Sequence, residues 1–278
     1  MTSMRRAIDE AADTLTAAGI DTARVDAEQL AAHTAGVDRG RLSWHEPDET
    51  FFDRYRELVA ARARRIPLQH LTTTAAFGPV VLGVGPGVFI PRPETEALLE
   101  WALAQRLPAA PVIVDLCTGS GALAVALAHG RPQARVVAVD DSADALGYAR
   151  RNAAGSAVEV READVTDPGL LAELDGEVDL VVANPPYIPD GAVLEPEVAE
   201  HDPAHALFGG PDGMQVIVPI VALAARLLRP GGRAAVEHDD TTAAQTVAVF
   251  DAAGVFTEVT SRRDLTGRPR FVTARRQG

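Results

Sequence analysis

Lysine is missing from this chain. All 26 of its Lys-or-Arg positions are arginine, and they are outnumbered by 39 Asp and Glu residues, giving a formal net charge of −13. That balance argues against broad nucleic-acid binding, whose affinity comes mainly from cations meeting phosphates, and suits a basic protein partner better. Asparagine is almost as scarce, occurring only at Asn152 and Asn184. Together with abundant alanine, these gaps point to a GC-rich coding sequence rather than to a function. The single cysteine, Cys117, cannot form an internal disulfide, which fits the cytoplasm. It has no evident catalytic partner and reads as a packing residue. Long hydrophobic runs are also lacking. The longest, Met214 to Leu228, is broken by Pro219 and Arg226, so no membrane span is expected. The acidic start through Asp9, Glu10 and Asp13 has no uninterrupted apolar core, so no signal peptide is expected either.

What is present is enough for one large domain and a small one: 278 residues, 47% hydrophobic. The most informative segment is Asn184-Pro185-Pro186-Tyr187, directly after the apolar run Asp179 to Ala183. Neither proline has an N–H to continue a ladder, so a strand ends there with an amide side chain and a prolyl carbonyl at the sheet edge. Two such acceptors can fix both N–H bonds of an NH2 group and aim its lone pair, with Tyr187 as a packing wall. The plainer reading is a loop start, since Asn and Pro are ordinary turn residues.

Upstream, Val112 to Leu116 followed by Cys117-Thr118-Gly119-Ser120-Gly121 and the apolar stretch Ala122 to His129 reads as strand, glycine loop, helix. Such a loop brings backbone close to a ligand and offers helix N-terminal N–H groups to a carboxylate or phosphate. The dinucleotide fingerprint is incomplete, because Ala124 stands where the third glycine belongs. A second strand, Val136 to Val139, ends in Asp140, 19 residues after Gly121, where a carboxylate can take both hydroxyls of a ribose. A third, Val158 to Val160, leads to Asp164 and Val165, a possible acceptor for an adenine amino group. Each acid alone also reads as a solvated strand end or a helix cap. The alternation of strands and helices gives a doubly wound α/β domain with ligands at the carboxyl ends of its strands.

Taken together, Phe89-Ile90-Pro91-Arg92-Pro93-Glu94-Thr95-Glu96, Asp115 to Gly121 and Asn184 to Tyr187 resemble the HemK/PrmC family of S-adenosylmethionine-dependent protein-(glutamine-N5) methyltransferases. The resemblance runs on through Leu207 to Gly213, Leu228 to Gly232 and Arg263 to Arg270. It implies a Rossmann-like class I methyltransferase domain with a seven-stranded, mostly parallel sheet, a small N-terminal helical domain and a β-hairpin connector. The expected boundaries are 1–72 for a helical bundle that binds the release factor, 73–92 for the connector and 93–278 for the methyltransferase domain.

The resemblance also implies a reaction: methyl transfer from S-adenosylmethionine, leaving S-adenosylhomocysteine, to the glutamine of the Gly-Gly-Gln motif of class I peptide-chain release factors. Asp115 and Cys117 to Gly121 would seat the methionine part, Asp140 the ribose, and Asp164 with Val165 the adenine. Asn184, Pro185, Pro186 and Tyr187 would hold the amide, with Asn184 also touching the cofactor and Phe89 and Arg92 lining the substrate side. Arg92 has a plainer reading, as part of a stiff linker paired with Glu94 or Glu96. A monomer without stable nucleic-acid or membrane partners is expected. The alternatives are a ribosomal-protein glutamine methyltransferase, a nucleic-acid adenine or guanine N-methyltransferase and a cofactor-sensing binding module.

Two departures from the family pattern stand out. Cys117 replaces the first glycine of the loop and is expected to tolerate β-region angles. His70-Leu71-Thr72-Thr73 replaces a Tyr-Ile-x-Gly pattern in the connector.

In the N-terminal region, Ile8, Ala11, Ala12 and Leu15 recur at helical spacing. Asp21 is expected to cap a second helix that runs to Gly36, and a third spans Asp48 to Arg64. The cluster Arg62-Ala63-Arg64-Arg65 reads as a solvated helix end, and Thr95 as the cap of the helix that follows it. No metal is expected. His201 and His205 are four apart, but Pro203 interrupts the turn and no third ligand is evident. Glu237-His238-Asp239-Asp240 reads as a strand-end cap rather than a triad fragment, because no nucleophilic serine motif accompanies it.

Overall fold

The computed structural model describes residues 3–278. They form two compact units, one containing the chain up to Thr74 together with Glu195–His201, the other the remainder.

The first unit is helical: α1 (Met4–Ala17), α2 (Ala23–Ala35), α3 (Phe51–Ala63), α4 (Leu68–Thr72) and the short Pro196–His201, which is α8 in chain order. Ser3 caps α1, its hydroxyl accepting from the Arg6 N–H at 3.3 Å. Ala7, Ile8, Ala11 and Leu15 bury the apolar stripe that the spacing predicts. Asp21 does not cap α2. The cap position is Thr22, and it makes no side-chain cap bond. α3 starts three residues later than expected, because Asp48 folds its carboxylate onto the Thr50 N–H at 2.9 Å in a turn ahead of the helix. The buried Tyr55 hydroxyl donates to the Ala27 carbonyl at 2.9 Å.

The arginine cluster is not a uniformly solvated helix end. Arg62 is 5% exposed, its Nε 2.7 Å from Asp26 and its Nη1 3.0 Å from Glu197. Arg65 also reaches Glu197, at 3.4 Å. Arg62 lies on the inward face of α3, and a buried guanidinium requires such partners.

The second unit opens with a two-stranded sheet, β1 (Thr74–Phe77) and β2 (Val80–Gly83), followed by α5 (Glu96–Leu103). Thr73 enters the left-handed region at φ 59°, separating α4 from β1. The alternating elements follow: β3 (Val112–Leu116), α6 (Ala122–Gly130), β4 (Arg135–Asp140), α7 (Ala143–Asn152), β5 (Val158–Glu162), β6 (Val178–Ala183), α9 (Ile217–Leu227), β7 (Leu228–Glu237), α10 (Ala243–Ala252), β8 (Phe256–Arg263) and β9 (Pro269–Arg276).

The seven strands are ordered β5-β4-β3-β6-β7-β9-β8, with β5 through β7 parallel and β9 antiparallel to both its neighbours. This is the seven-stranded, mostly parallel architecture that the resemblance implies. Alternate strand residues feed two cores. Val114, Val137, Val181 and Val236 pack on one face with Ile217, Ile220 and Phe250. Ile113, Val136, Ala138, Leu180 and Val182 pack on the other with Leu98, Leu123 and Leu127. Both faces of β6 are covered, so Val178–Ala183 is buried throughout and apolar except for Asp179, whose carboxylate accepts from the Val112 N–H at 2.8 Å and pairs with Arg229. Parallel pairing brings the carboxyl ends of β3, β4, β5, β6 and β7 to one edge. The strand order reverses between the neighbours β3 and β6, and at such a switch point the crossovers diverge and leave a crevice.

Candidate active site

At the end of β3, Asp115 is 1% exposed and folds back under the glycine loop. Its Oδ2 accepts from the Thr118 hydroxyl at 2.5 Å and from the Ala124 N–H at 3.1 Å, which pins the loop to the first turn of α6. Burial raises its pKa to about 7. The loop turns through three left-handed residues, Cys117 (φ 57°), Gly119 (φ 58°) and Gly121 (φ 85°). This corrects the expectation for Cys117: it does not adopt β-region angles but occupies the conformation that glycine takes most cheaply. Its thiol is pushed well above the usual range, first by burial and then by the surrounding carboxylates of Asp140, Asp115, Asp141 and Asp164.

Asp140 closes the loop from the β4 side, accepting from the Gly119 N–H at 2.8 Å and the Ser142 N–H at 3.0 Å. Burial raises its pKa, and those two N–H groups counteract the rise. Asp164 is exposed and engaged in its own turn, Oδ1 accepting from the Thr166 N–H and hydroxyl, both at 2.7 Å. Val165 beside it is buried. His205, set aside as a metal ligand, lies 2.8 Å from Asp141, whose hydrogen bond raises the imidazole pKa.

Asn152, at the end of α7, ties the loop to the β1–β2 hairpin. Its Nδ2 donates to the Ser120 carbonyl at 2.8 Å and the Gly83 carbonyl at 2.9 Å, while Oδ1 accepts from the Gly83 N–H at 2.7 Å. One of only two asparagines in the chain, it carries no motif that would have marked it.

Across the β3–β6 boundary, Asn184 follows directly on β6. Its Nδ2 donates to the Thr95 hydroxyl at 3.2 Å. Thr95, 3% exposed, therefore turns its side chain to Asn184 and makes no cap bond to α5, contrary to the capping role expected for it. Pro185 is buried, Pro186 half-buried, and the Tyr187 hydroxyl donates to Glu237 Oε1 at 3.0 Å. Burial lifts the Tyr187 phenol well above its ordinary range. The Leu207–Gly213 motif wraps this turn, the Ile188 N–H donating to Leu207 and the Gly209 N–H to Ile188, both at 2.9 Å. A Cβ on Gly213 would stand 2.2 Å from the Tyr187 carbonyl oxygen, so only glycine admits that approach. Arg92 lies over the Phe89 ring, 4.9 Å from its centroid, and pairs with Asp202 rather than with Glu94 or Glu96.

Two edges thus meet at the switch point. One is an acidic, backbone-rich cradle from Asp115 to Gly121 with Asp140. The other is an amide turn from Asn184 to Tyr187. The cradle's chemistry fits a zwitterionic amino acid joined to a nucleoside: Asp115 Oδ1 and Ser120 Oγ are buried without partners among the described residues, and the space over the Gly119 Cα is open. Thr95, Asn152, Glu237 and His205 were not legible as site residues, because each reaches the site through a contact distant in sequence.

Residues 6–72 match the family described as the PrmC N-terminal domain, and residues 93–201 the methyltransferase small domain. A release factor glutamine methyltransferase of Mycolicibacterium smegmatis is 70% identical over 277 residues, 99% of either chain. One of Mycobacterium tuberculosis strain H37Rv is 66% identical over 281 residues, 99% of this chain and 92% of that one. One of Streptomyces coelicolor is 48% identical over 97% of this chain and 96% of that one. Among solved structures, a methyltransferase from Pyrococcus furiosus aligns with a TM-score of 0.56 at 19% identity, over 79% of this chain and 99% of that one, a likeness of fold alone.

Proposed function

This chain belongs to the release factor glutamine methyltransferase family, and from that footing we propose that it methylates N5 of the Gly-Gly-Gln glutamine in class I peptide-chain release factors. The observation that carries the reading is the amide turn itself. With Nδ2 of Asn184 turned to Thr95, Oδ1 is the atom left for an incoming N–H, and the Pro185 carbonyl supplies a second acceptor. Two acceptors hold the glutamine NH2 by both protons and turn the nitrogen lone pair toward the cradle. An amide nitrogen is a poor nucleophile, so orientation is the principal contribution this edge can make.

S-adenosylmethionine, when bound, supplies an electrophilic methyl on a sulfonium whose leaving group is a neutral thioether. Asp115 and the loop from Cys117 to Gly121 would hold its methionine end, Asp140 the ribose hydroxyls, and Asp164 with Val165 the adenine. Asn184 and the Pro185 carbonyl hold the nucleophile, and Pro186 and the Tyr187 ring help wall off water. No dedicated base is required, because the amide proton can leave after the methyl has arrived. Phe89 and Arg92 line the substrate side, and the helical unit grips the body of the release factor. The protein acts as a monomer in the cytoplasm, without stable nucleic-acid or membrane partners. Among the described residues no helix is long and apolar enough to cross a membrane.

The test is incubation of purified class I release factors with the protein and isotopically methyl-labelled S-adenosylmethionine, with the label mapped by mass spectrometry. Label on the Gly-Gly-Gln glutamine is expected. Its absence there, with label on a ribosomal protein or RNA instead, overturns the substrate assignment. Asn184→Ala should lower turnover by at least ~10²-fold, the order seen when one preorganised hydrogen-bonding group is removed from an active site, while the cofactor Kd stays within about twofold.

A further inference from the structure

Asp202 is a buried carboxylate outside both the cradle and the amide turn. Its side chain is 1% exposed, and each oxygen has its own donor: Oδ1 accepts from the Ile90 N–H at 3.4 Å, and Oδ2 accepts from Arg92 Nη2. A buried ion pair holds its geometry closely, because loss of either partner leaves an uncompensated charge. The Arg92 guanidinium also lies over the Phe89 ring, 4.9 Å from its centroid, a contact that suits a planar cation. Arg92 is thus held by a carboxylate at one nitrogen and by a ring beneath it.

An arginine held in this way has more donors than its neighbours use. Asp202 takes one N–H from Nη2, while Nε and Nη1 have no partner among the described residues and are not closed off from solvent, the side chain being 31% exposed. One short turn separates Arg92 from the amide turn. The Arg92 carbonyl accepts from the Thr95 N–H at 3.1 Å, and the Thr95 hydroxyl accepts from Asn184 Nδ2 at 3.2 Å. On the other side, Asp202 shortly precedes the Leu207–Gly213 motif, whose Leu207 carbonyl accepts from the Ile188 N–H at 2.9 Å. The ion pair therefore joins the two segments that frame Asn184 to Tyr187.

The two residues that lead to the substrate glutamine are glycines, which offer only backbone to a binding site. Their carbonyl oxygens are acceptors that a fixed fork of N–H groups can meet. We infer that Asp202 is a positioning residue for the release factor: with the Phe89 ring it fixes Arg92 so that the free N–H edge of the guanidinium receives backbone carbonyls of the Gly-Gly segment. This rests on the reading of Asn184 as the group that holds the glutamine amide. Asp202 touches neither substrate nor cofactor; it acts through Arg92.

Steady-state methylation of purified class I release factors at saturating S-adenosylmethionine tests the array. A backbone contact remote from the reacting nitrogen is made in ground and transition states alike, so its loss appears in KM rather than in kcat. Asp202→Asn keeps the shape but has one oxygen for two donors. KM for the release factor should rise ~10-fold, the order of one hydrogen bond to a charged group, with kcat within about threefold and the cofactor Kd within about twofold. Arg92→Lys keeps a charge opposite Asp202 without the planar fork, and should raise KM by a similar ~10-fold for each class I release factor, because the Gly-Gly backbone is what they share. The two changes together should cost little more than either alone, as members of one chain do. A residue that served packing alone would add its own cost to that of Arg92→Lys.

An unchanged KM in Asp202→Asn overturns the inference. So does a double variant in which the two single effects multiply. A rise in KM confined to one release factor marks a side-chain contact and overturns the backbone assignment. If Asp202→Asn does not fold, Phe89→Leu takes its place under the same criteria, since it removes the ring and leaves the ion pair. Asn184→Ala separates the two claims: full activity in that variant removes the reading beneath the inference, whereas inactive Asn184→Ala beside Asp202→Asn with an unchanged KM removes the inference alone.

Discussion

The Asn152 side chain spans the Ser120 carbonyl in the glycine loop and both backbone polar groups of Gly83 in the β1–β2 hairpin, with three hydrogen bonds between 2.7 and 2.9 Å. An amide suits this position because it gives and accepts at once. The β1–β2 hairpin is thereby fastened to the glycine loop.

Removing that fastening should be felt first in cofactor affinity. Asn152→Ala loses three bonds, each worth about 1 kcal/mol net, and leaves the Ser120 carbonyl free to move. S-adenosylmethionine is expected to bind ~10-fold more weakly by titration calorimetry. Asn152→Asp should be no better, since it keeps an acceptor for the Gly83 N–H but forfeits both donors. Unaltered affinity in both variants would mean that the loop holds its shape without the hairpin.

Cys117 gives a second prediction, from backbone geometry. At φ 57° a Cβ costs roughly 1 kcal/mol or more. Truncation to Ala keeps that cost and loses the sulfur packed against the core, whereas truncation to Gly loses the sulfur and relieves the strain. Cys117→Gly should therefore unfold in urea at higher concentration than Cys117→Ala, by about 1 kcal/mol in stability. At a helical or extended position the ranking is the reverse.

The third concerns pH. Burial raises the Asp115 pKa from 3.8 to about 7, so the folded protein holds a proton there that the unfolded chain releases. A group whose pKa is raised by folding stabilises fully below its unfolded pKa and loses that contribution as pH rises through the folded value. Wild type should thus lose stability relative to Asp115→Asn between about pH 4 and pH 7, by an amount on the order of 3 kcal/mol. Asn can still accept from Thr118 and Ala124 with no proton to lose. Chemical denaturation of both proteins at several pH values across that window checks the sign: a difference that stays flat, or grows in favour of wild type, would contradict a neutral buried Asp115.

Much of the candidate site was legible in the sequence because its chemistry is local. Asn184 to Tyr187 follows the end of β6, since two prolines cannot continue a ladder. The spacing from Gly121 to Asp140 is one helix and one strand. The stretches Val112–Leu116 and Val178–Ala183, apolar except for Asp115 and Asp179, are what strands covered on both faces require. Other features were not local. Thr95 lies 89 residues from Asn184, and Tyr187 lies 50 from Glu237. The expectations for Thr95 as a cap and for Arg62 as solvent-facing rested on local rules, and tertiary partners overrode them. For Arg62 those partners were Asp26 and Glu197.

By itself the sequence determined that β3, β4, β5 and β6 are strands, where β3, β4 and β6 end, and which side chains stand at those ends, because alternation, proline and glycine act over a few residues. Only the tertiary structure decided that β3 lies between β4 and β6, that Cys117 takes a left-handed turn, and that Thr95 and Glu237 converge behind Asn184 and Tyr187. Strand order and buried hydrogen bonds come from pairings across the whole chain. Their partners are chosen by which arrangement leaves the fewest buried polar groups unsatisfied, a condition that no short stretch of sequence can express.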